Sequence, residues 1–236
     1  WVSRAIENAQ RKVEAHNFDI RKNLLDFDDV ANDQRRVIYA QRNELMEADD
    51  VHDYNEEMRD EVFNSLISRY IPPESIAEMW EVEGLEKALE GEFGIEVPIR
   101  KWLDEDDELT ETELRKRILE RVEAHFEVKE EQTGSSVMRS FEKAVMLNVL
   151  DQQWKEHLAS MDYLRRGIHL RGFAQKKPQQ EYKREGFGMF TDMLDNMRLE
   201  VMKILARVEV RSEQDVEAVD EQRRRERPME FRHREA

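Results

Sequence analysis

Apolar residues recur every three or four positions along the first part of the chain. The series is Val2, Ile6, Ala9, Val13, Ile20, Leu24, Phe27, Ala31, Ile38 and Leu45. This spacing places the side chains on one face of an α-helix. The first 71 residues contain neither Gly nor Pro, so no helix breaker interrupts the pattern. It predicts one helix over residues 1–48, about 70 Å long, which acts as a strut to which other parts dock.

A second helix is predicted directly after the first. Asp49 or Asp50 is placed to cap its N terminus, and its apolar side continues to Tyr70. Pro72 and Pro73 end it, because proline lacks the backbone N–H donor and disfavours a helical conformation in the residue before it.

Shorter elements and glycines follow this helix. Short helical segments are predicted at 74–80 and 85–93, and Thr110 opens a longer helix that runs to about Lys129. Glu113 stands at the spacing of a capping box with Thr110. Six residues could supply a modest core for a small inserted helical domain: Trp80, Phe93, Trp102, Leu114, Ile118 and Phe126.

Two long apolar stripes return in the second half of the chain. The first is Val137, Phe141, Val145, Leu147, Leu150, Trp154, Leu158, Met161, Leu164 and Ile168. The second is Phe187, Phe190, Leu194, Met197, Val201, Ile204 and Val208, with heptad spacing. Gly172 and Pro178 lie between them, which predicts an antiparallel two-helix hairpin. The hairpin's remaining apolar surface is expected to pack on the first helix.

These patterns predict an all-α fold with four segments. The segments are a long helix over 1–48, a small helical domain over 49–134, a two-helix hairpin over 135–210 and the start of a flexible linker over 211–236. The last segment is predicted to be disordered because its periodicity fades into acidic residues, glutamines and arginines.

Composition agrees with long amphipathic helices. Hydrophobic and charged residues each make up 39% of the 236 residues, a balance too polar for one compact core. Cysteine is absent, which excludes a disulfide framework, a thiolate zinc site and a cysteine nucleophile. No run reaches the roughly 18 apolar residues of a membrane-spanning helix. A helical pattern is already running at Trp1, so we expect a segment of a longer protein.

Charge is unevenly distributed. The net charge of −16 argues against nucleic acid as the main partner of the whole surface. Seven of the ten residues in 104–113 are acidic, whereas 165–184 holds seven Lys or Arg and one acidic residue, Glu181. This basic region in an acidic protein is the feature that most needs an explanation.

Two polar clusters are candidates for chemistry. Asp26, Asp28, Asp29 and Asp33 could form a metal site, but a solvated or salt-bridged helix face is the favoured interpretation. His157, Asp162 and His169 could form an acid–base set, but no nucleophile accompanies them. No phosphate loop, dinucleotide fingerprint, nucleophile elbow or HExxH motif is present. We therefore predict no catalytic site and no metal or cofactor bound by this segment.

The predicted hairpin loop is the strongest candidate for a functional site. Its residues are Arg171, Gly172, Phe173, Ala174, Gln175, Lys176, Lys177 and Pro178. An aromatic ring among cations could hold a polypeptide, lie against anionic lipid or grip phosphates while Phe173 stacks on a base. An ordinary solvated loop is the fourth interpretation.

Six stretches closely resemble the SecA family of bacterial preprotein translocase ATPases. They are 5–14 (AIENAQRKVE), 17–22 (NFDIRK), 28–36 (DDVANDQRR), 151–157 (DQQWKEH), 161–165 (MDYLR) and 167–172 (GIHLRG). The resemblance covers residues 1–210 in the right order and spacing. It implies a scaffold helix, a helical wing domain and a two-helix finger.

The resemblance also implies partners. In that family the scaffold helix docks two nucleotide-binding domains, which bind ATP and Mg, and the preprotein cross-linking domain. The finger loop contacts the unfolded preprotein at the SecY channel, and the region restrains the ATPase. The expected location is the bacterial cytoplasm and, as a peripheral protein, the cytoplasmic face of the inner membrane. The resemblance leaves the oligomeric state open between a monomer and a homodimer. The ATP-binding motifs and the Cys-rich zinc-binding tail of the family are absent from this sequence.

Two loop residues differ from the family's usual pattern. Phe173 stands where the family usually has Tyr, so the ring is kept and the hydroxyl is lost. Lys177 stands where Asp or Asn is commoner, which makes this loop more basic.

Two rival functions remain open at this point. One is a nucleic-acid-binding helical module that uses the basic loop and the arginines near the end of the chain. The other is a coiled-coil adaptor that dimerises through its exposed apolar stripes.

Overall fold

The protein is described here by a computed structural model, which covers residues 2–106, 108–168, 177–208 and 221. Within these residues there are seven α-helices and no strand, which confirms the predicted all-α fold. The helices are α1 (Val2–Glu47), α2 (His52–Tyr70), α3 (Val82–Ala88), α4 (Ile99–Glu105), α5 (Glu111–Thr133), α6 (Ser135–Gly167) and α7 (Pro178–Arg207). A 3₁₀ turn lies at Ala77–Met79 and a π turn at Leu89–Phe93.

The long first helix is confirmed as one uninterrupted element of 46 residues. Only part of its predicted apolar face is covered. Ile6, Val13 and Phe18 are exposed, whereas Phe27 and Ile38 are buried. The predicted stripe is therefore a packing surface in the second half of α1.

The N-terminal cap of α2 differs from the prediction. Val51 occupies the N-cap position of α2, so neither Asp49 nor Asp50 is the cap. The Asp50 carboxylate still accepts a hydrogen bond from the backbone N–H of His52 at 2.8 Å. Acting from one residue before the cap, it stabilises an N–H that has no partner within the helix.

The capping box of α5 is confirmed. The Thr110 backbone N–H donates to the Glu113 carboxylate at 3.1 Å, and the Glu113 backbone N–H donates to the Thr110 hydroxyl at 3.3 Å. The hydroxyl of Thr110 also donates to this carboxylate, and these bonds hold the pKa of Glu113 below its usual value. The cap stabilises α5, which continues to Thr133.

The chain forms two compact units. One contains the residues up to Asn43 together with Gln152–Asp195, and the other contains Glu44–Asp151 and the residues from Asn196 onward. Each unit is described separately below. The division into segments at 48, 134 and 210 stays a prediction.

Residues of α2, α5 and the π turn at Leu89–Phe93 form part of the core of the second unit. The rings of Phe63 and Phe93 lie 4.7 Å apart and are fully buried, as are Leu114 and Ile118. Trp80 and Trp102, also predicted for this core, are only half-buried. The Trp80 indole N–H donates to the Ser75 hydroxyl at 2.9 Å, and a ring with a polar edge is favoured at such a boundary.

Lysine side chains hold two helix C termini in this unit. Lys143 of α6 donates to the carbonyl oxygens of Met46 and Ala48, at 2.8 and 2.7 Å, at the end of α1. Lys129 of α5 donates to the carbonyls of Leu205 and Ala206 at the end of α7. Both contacts satisfy carbonyls that lack partners within the helix and place positive charge at the negative end of the dipole.

Glu142 is a buried carboxyl group in this unit. Burial raises the pKa of Glu142 to about 7, although the Arg139 guanidinium lies 2.9 Å away and acts in the opposite direction. The unfolded value is 4.5. Because the folded state binds the proton more tightly, stability is highest below about pH 4.5 and falls as the pH rises towards 7.

Replacing Glu142 with Gln should therefore stabilise the protein at alkaline pH. The amide mimics the protonated carboxyl, so the gain in unfolding free energy is expected to reach the order of 3 kcal/mol at pH 8 and to vanish near pH 4.5. Thermal unfolding of both proteins from pH 4.5 to 8.5 measures this. A variant that is less stable at pH 8, or a gain that does not change with pH, would contradict the assignment.

Candidate functional site

The predicted loop lies almost wholly outside the described residues. Arg171, Gly172, Phe173, Ala174, Gln175 and Lys176 belong to the part that the structure does not describe, so their predicted role stays a prediction. Lys177 is exposed, and Pro178 is the first residue of α7. Proline is favoured at this position because the first helical N–H has no partner within the helix.

The structure does describe the helices that carry this loop. We call the parts of α1, α6 and α7 in the first unit the three-helix base. Trp154 of α6 meets Phe190 of α7 with ring centres 6.5 Å apart, whereas Met161, two turns later in α6, lies against Gly186, four residues earlier in α7. The two helices are therefore antiparallel, which confirms the predicted hairpin.

Helix α1 packs on the hairpin, as the sequence predicts. The ring of Phe27 meets the ring of Tyr182 edge to face at 4.9 Å. The Arg165 guanidinium lies 3.0 Å from the Asp28 carboxylate. Both groups of this ion pair are partly exposed, so the pair adds little stability, and the apolar contact holds the helices together.

Both stems of the loop are buried in one apolar cluster. Ile168, the last described residue before the loop, is fully buried, and Tyr182 lies in the first turns of α7. Both pack with Phe27 and Met161. Burial raises the pKa of the Tyr182 hydroxyl. The cluster anchors both ends of the loop to α1.

A buried polar chain links all three helices. The amide nitrogen of Gln34 in α1 donates to the Gly186 carbonyl in α7 at 2.9 Å, and its amide oxygen lies 2.9 Å from Nε2 of His157 in α6. A carbonyl can only accept, so Gln34 must turn its NH2 group to Gly186 and its oxygen to His157. His157 therefore carries its proton on Nε2 and donates it to Gln34.

His157 is held neutral in this site. Burial lowers its pKa because the charged imidazolium is poorly solvated there. The ring stacks on Trp154 at 5.5 Å and contacts Phe190. Since the neutral form is favoured in the fold, this stabilisation is present above about pH 6.5 and is lost as the pH falls.

The candidate acid–base set is not assembled around His157. Asp162 is exposed and pairs with Arg166 on its own helix, whereas His157 is buried against Gln34. His169 lies outside the described residues. The geometry gives His157 a structural role in the base.

Gly186 permits the close approach of α7 to its neighbours. A Cβ atom at this position would lie 2.8 Å from Cε and 3.2 Å from Sδ of Met161, and 3.6 Å from Cγ1 of Val30. Met161 is itself buried, so its terminal methyl group would have to shift within a packed cluster. The absence of a side chain therefore brings the Gly186 carbonyl within reach of Gln34.

The second apolar stripe was predicted in the wrong register at its start. Phe187 is 70% exposed, while Gly186, which faces Met161, is buried. Glycine carries no hydrophobic signal, so the pattern assigned the adjacent phenylalanine to the packed face. Two turns after Gly186, the buried residue is Met193 rather than Leu194.

Sequence reasoning also missed the polar link. Gln34 lies in the stripe of Phe27, Ala31 and Ile38 at helical spacing, and His157 lies one turn after Trp154. A polar residue inside an apolar stripe was the available signal, because a buried amide needs partners. Neither residue type indicates its partner, which depends on how the helices pack.

The aspartate cluster of α1 is in part ion-paired. Asp28 contacts Arg165 at 3.0 Å, and Asp33 contacts Arg36 at 3.3 Å. The side chain of Asp26 lies outside the described residues. Among the residues that are described, no group of three or more His, Asp or Glu side chains is arranged to hold a metal ion.

A shallow groove opens beside the start of the loop. Its volume is about 590 Å³, and it is lined by Ala159, Ser160, Tyr163, Leu164, Gly167, Ile168 and Met189. The Tyr163 side chain is 81% exposed. None of the described helices combines the length and apolarity needed to cross a membrane.

Comparison with known proteins relates the chain to one protein family. The profile of the family described as the SecA wing and scaffold domain matches residues 1–209. The protein translocase subunit SecA of Nitrosococcus oceani is 59% identical over 233 residues, which cover 99% of this chain and 26% of that relative. The chain thus spans about a quarter of the length of the curated relative it matches.

Two glycines of α7 provide a matched test of the close approach. Replacing Gly188 with Ala should stabilise the protein by about 1 kcal/mol, because a Cβ there meets nothing within 4 Å and alanine favours the helix. Replacing Gly186 with Ala gains the same propensity but forces Met161 to move, so its unfolding free energy should be lower than that of the Gly188 variant by about 1–3 kcal/mol. Chemical denaturation measures both, and equal stabilisation would contradict the packing argument.

Proposed function

The chain belongs to the SecA family, in its wing and scaffold region, and from this premise we propose that it is the mechanical segment of a protein-translocation motor. In this role the three-helix base couples movements of ATP-binding domains elsewhere in the protein to the hairpin loop. The loop in turn engages an unfolded preprotein. The single observation that carries the proposal is the link from Gln34 to His157 and Gly186, which joins the long helix to both helices of the hairpin.

The base has the properties of a lever. Its three helices share one buried polar chain and one apolar cluster around Phe27 and Tyr182. Buried, satisfied polar networks favour one packing arrangement over others. Motion imposed on α1 is therefore passed to the hairpin without being absorbed by sliding between the helices.

The loop and its surroundings suit an unfolded chain as the partner. The groove beside the loop is bordered by Tyr163, Leu164 and Met189, which offer aromatic, aliphatic and adaptable surface to varied side chains. The basic loop residues add positive charge. The net charge of the chain is nevertheless −16, which repels nucleic acid and favours a polypeptide as the partner.

The remaining parts of the proposal follow the family. The exposed first half of α1 docks the nucleotide-binding domains and the preprotein cross-linking domain, and this docking restrains ATP hydrolysis. ATP and Mg bind those domains, and this segment carries no catalytic site. The channel partner is SecY, at the cytoplasmic face of the inner membrane, where the protein is peripheral.

Site-specific cross-linking of the loop tests the contact with preprotein. Single cysteines at Phe173 and Lys177 in the full protein, with other cysteines replaced, should form disulfides with a cysteine in a stalled preprotein when ATP and channel are present. The matched control is a cysteine at Val128, an exposed apolar position of α5. Gel-shift yields measure the adducts.

The cross-linking outcomes separate the possibilities. Adducts at 173 and 177 that are absent at 128 and depend on ATP support the proposal. Equal yields at 128, or no adducts at either loop position, would remove the loop from the translocation path. Labelling with a nucleic-acid or lipid probe in place of preprotein would favour the rival interpretations of the basic loop.

Breaking the Gln34 link tests the lever. Gln34→Met removes both hydrogen bonds at similar volume and leaves the Gly186 carbonyl and the His157 N–H unpaired, a cost of about 1–3 kcal/mol. We expect fewer preprotein molecules translocated per ATP hydrolysed, by several-fold. Gln152→Met is the control, because Gln152 is exposed and donates to exposed Glu156 on its own helix. An unchanged ratio in Gln34→Met would contradict the lever.

A further inference from the structure

We call residues 52–133, which contain α2 to α5, the small helical region. It is connected to the long helices at two points in the second unit. Residues 48–51 lead from α1 into α2, and Gly134 alone leads from α5 into α6. We call these the first and second crossings. Any change of angle between the small region and α6 must be accommodated there, because the segments on both sides are helical.

Gly134 has a conformation that only glycine adopts readily. Its φ is 88° and its ψ is 137°, so the helical path is interrupted at one residue. A Cβ at this position would meet nothing within 4 Å. The requirement for glycine therefore comes from the backbone and not from packing, and α5 and α6 meet at a single-residue joint.

One side chain bonds to a residue beside each crossing. Arg139, in the second turn of α6, donates to the Glu130 carboxylate in the last turns of α5 and to Nδ1 of His52, the first residue of α2. The side chain of Arg139 is 14% exposed. Because an arginine can only donate, Nδ1 of His52 is the acceptor, and its Nε2 carries the proton towards Glu56 at 3.3 Å.

We propose that Arg139 is a latch across a two-point hinge. Breaking its bonds to Glu130 and His52 lets the small helical region turn about Gly134 and residues 48–51, as far as the bonds of Lys129 to the end of α7 allow. With the latch engaged, the region keeps one orientation against α6. This inference concerns the joint itself and does not depend on the transport role proposed above.

Neighbouring contacts agree with this assignment. Lys143 holds the carbonyls of Met46 and Ala48, so α1 is fixed to α6 up to the first crossing. Burial tends to raise the pKa of Glu130, but hydrogen bonds from Ser135 and Arg139 outweigh it and keep the pKa below its usual value. The carboxylate at the joint is therefore ionised, as a charge-assisted bond to arginine requires.

Distance measurements between α5 and α6 test the latch. Cysteines are introduced at Lys116 and Ser140, both exposed, in the full protein with its other cysteines replaced, and each carries a spin label. Double electron–electron resonance gives the distribution of distances between the two labels. We expect one narrow distribution in the parent protein. Arg139→Met should add a second population above roughly 10% of molecules.

The matched control is Arg117→Met. Arg117 pairs with Asp106 at 3.4 Å inside the small region, so its loss should leave the distribution unchanged. Glu130→Gln weakens the latch without removing a long side chain and should give a smaller second population. This milder variant decides the matter if Arg139→Met does not fold.

Two results would overturn the proposal. The first is a parent-like distribution in Arg139→Met or Glu130→Gln with circular dichroism showing intact helices. The second is equal broadening in Arg117→Met, which would show that any lost arginine loosens the region. In either case Arg139 would contribute to stability alone.

Discussion

The side-chain amide of Gln34 sets the register of three helices at once. It donates to the Gly186 carbonyl and accepts from Nε2 of His157, both at 2.9 Å and both buried. A slip of α6 or α7 by one residue would leave two buried polar groups unpaired, and a slip of α1 would leave four. At about 1–3 kcal/mol for each group, this is a large share of a domain's net stability. Apolar contacts around Phe27 tolerate such slips better because they have no direction. The hydrogen bonds therefore specify the arrangement that burial stabilises.

The protein uses polar contacts differently at its two joints. In the three-helix base the Gln34 chain is neutral, buried and complete, which suits a part that transmits force. At the α5–α6 joint the contacts are ionic and lie beside Gly134, whose backbone conformation interrupts the helix. Ionic contacts of partly exposed groups break at lower cost than buried neutral ones. This difference agrees with the rigid base and the hinge proposed above.

Much of the fold could be predicted from the sequence. The uninterrupted α1, the end of α2 before Pro72 and the capping box of Thr110 depend on neighbours within a few residues, and the structure confirms them. The antiparallel hairpin also follows, because two long apolar stripes with a short connection between them have few ways to cover each other. The prediction was wrong at Phe187, which is exposed, since the packed position beside it is a glycine without a hydrophobic side chain.

By itself the sequence determined the long helices, their order and the family to which the chain belongs. Short-range spacing controls helix formation, and the motifs are contiguous stretches. Only the tertiary structure decided that Gln34 and His157, 123 residues apart, are partners, that Gly186 is a contact surface and that Arg139 bonds to both Glu130 and His52. Each of these depends on which helix faces pack together. A polar residue shows in the sequence that it needs a partner, but its partner is determined by the three-dimensional path of the chain.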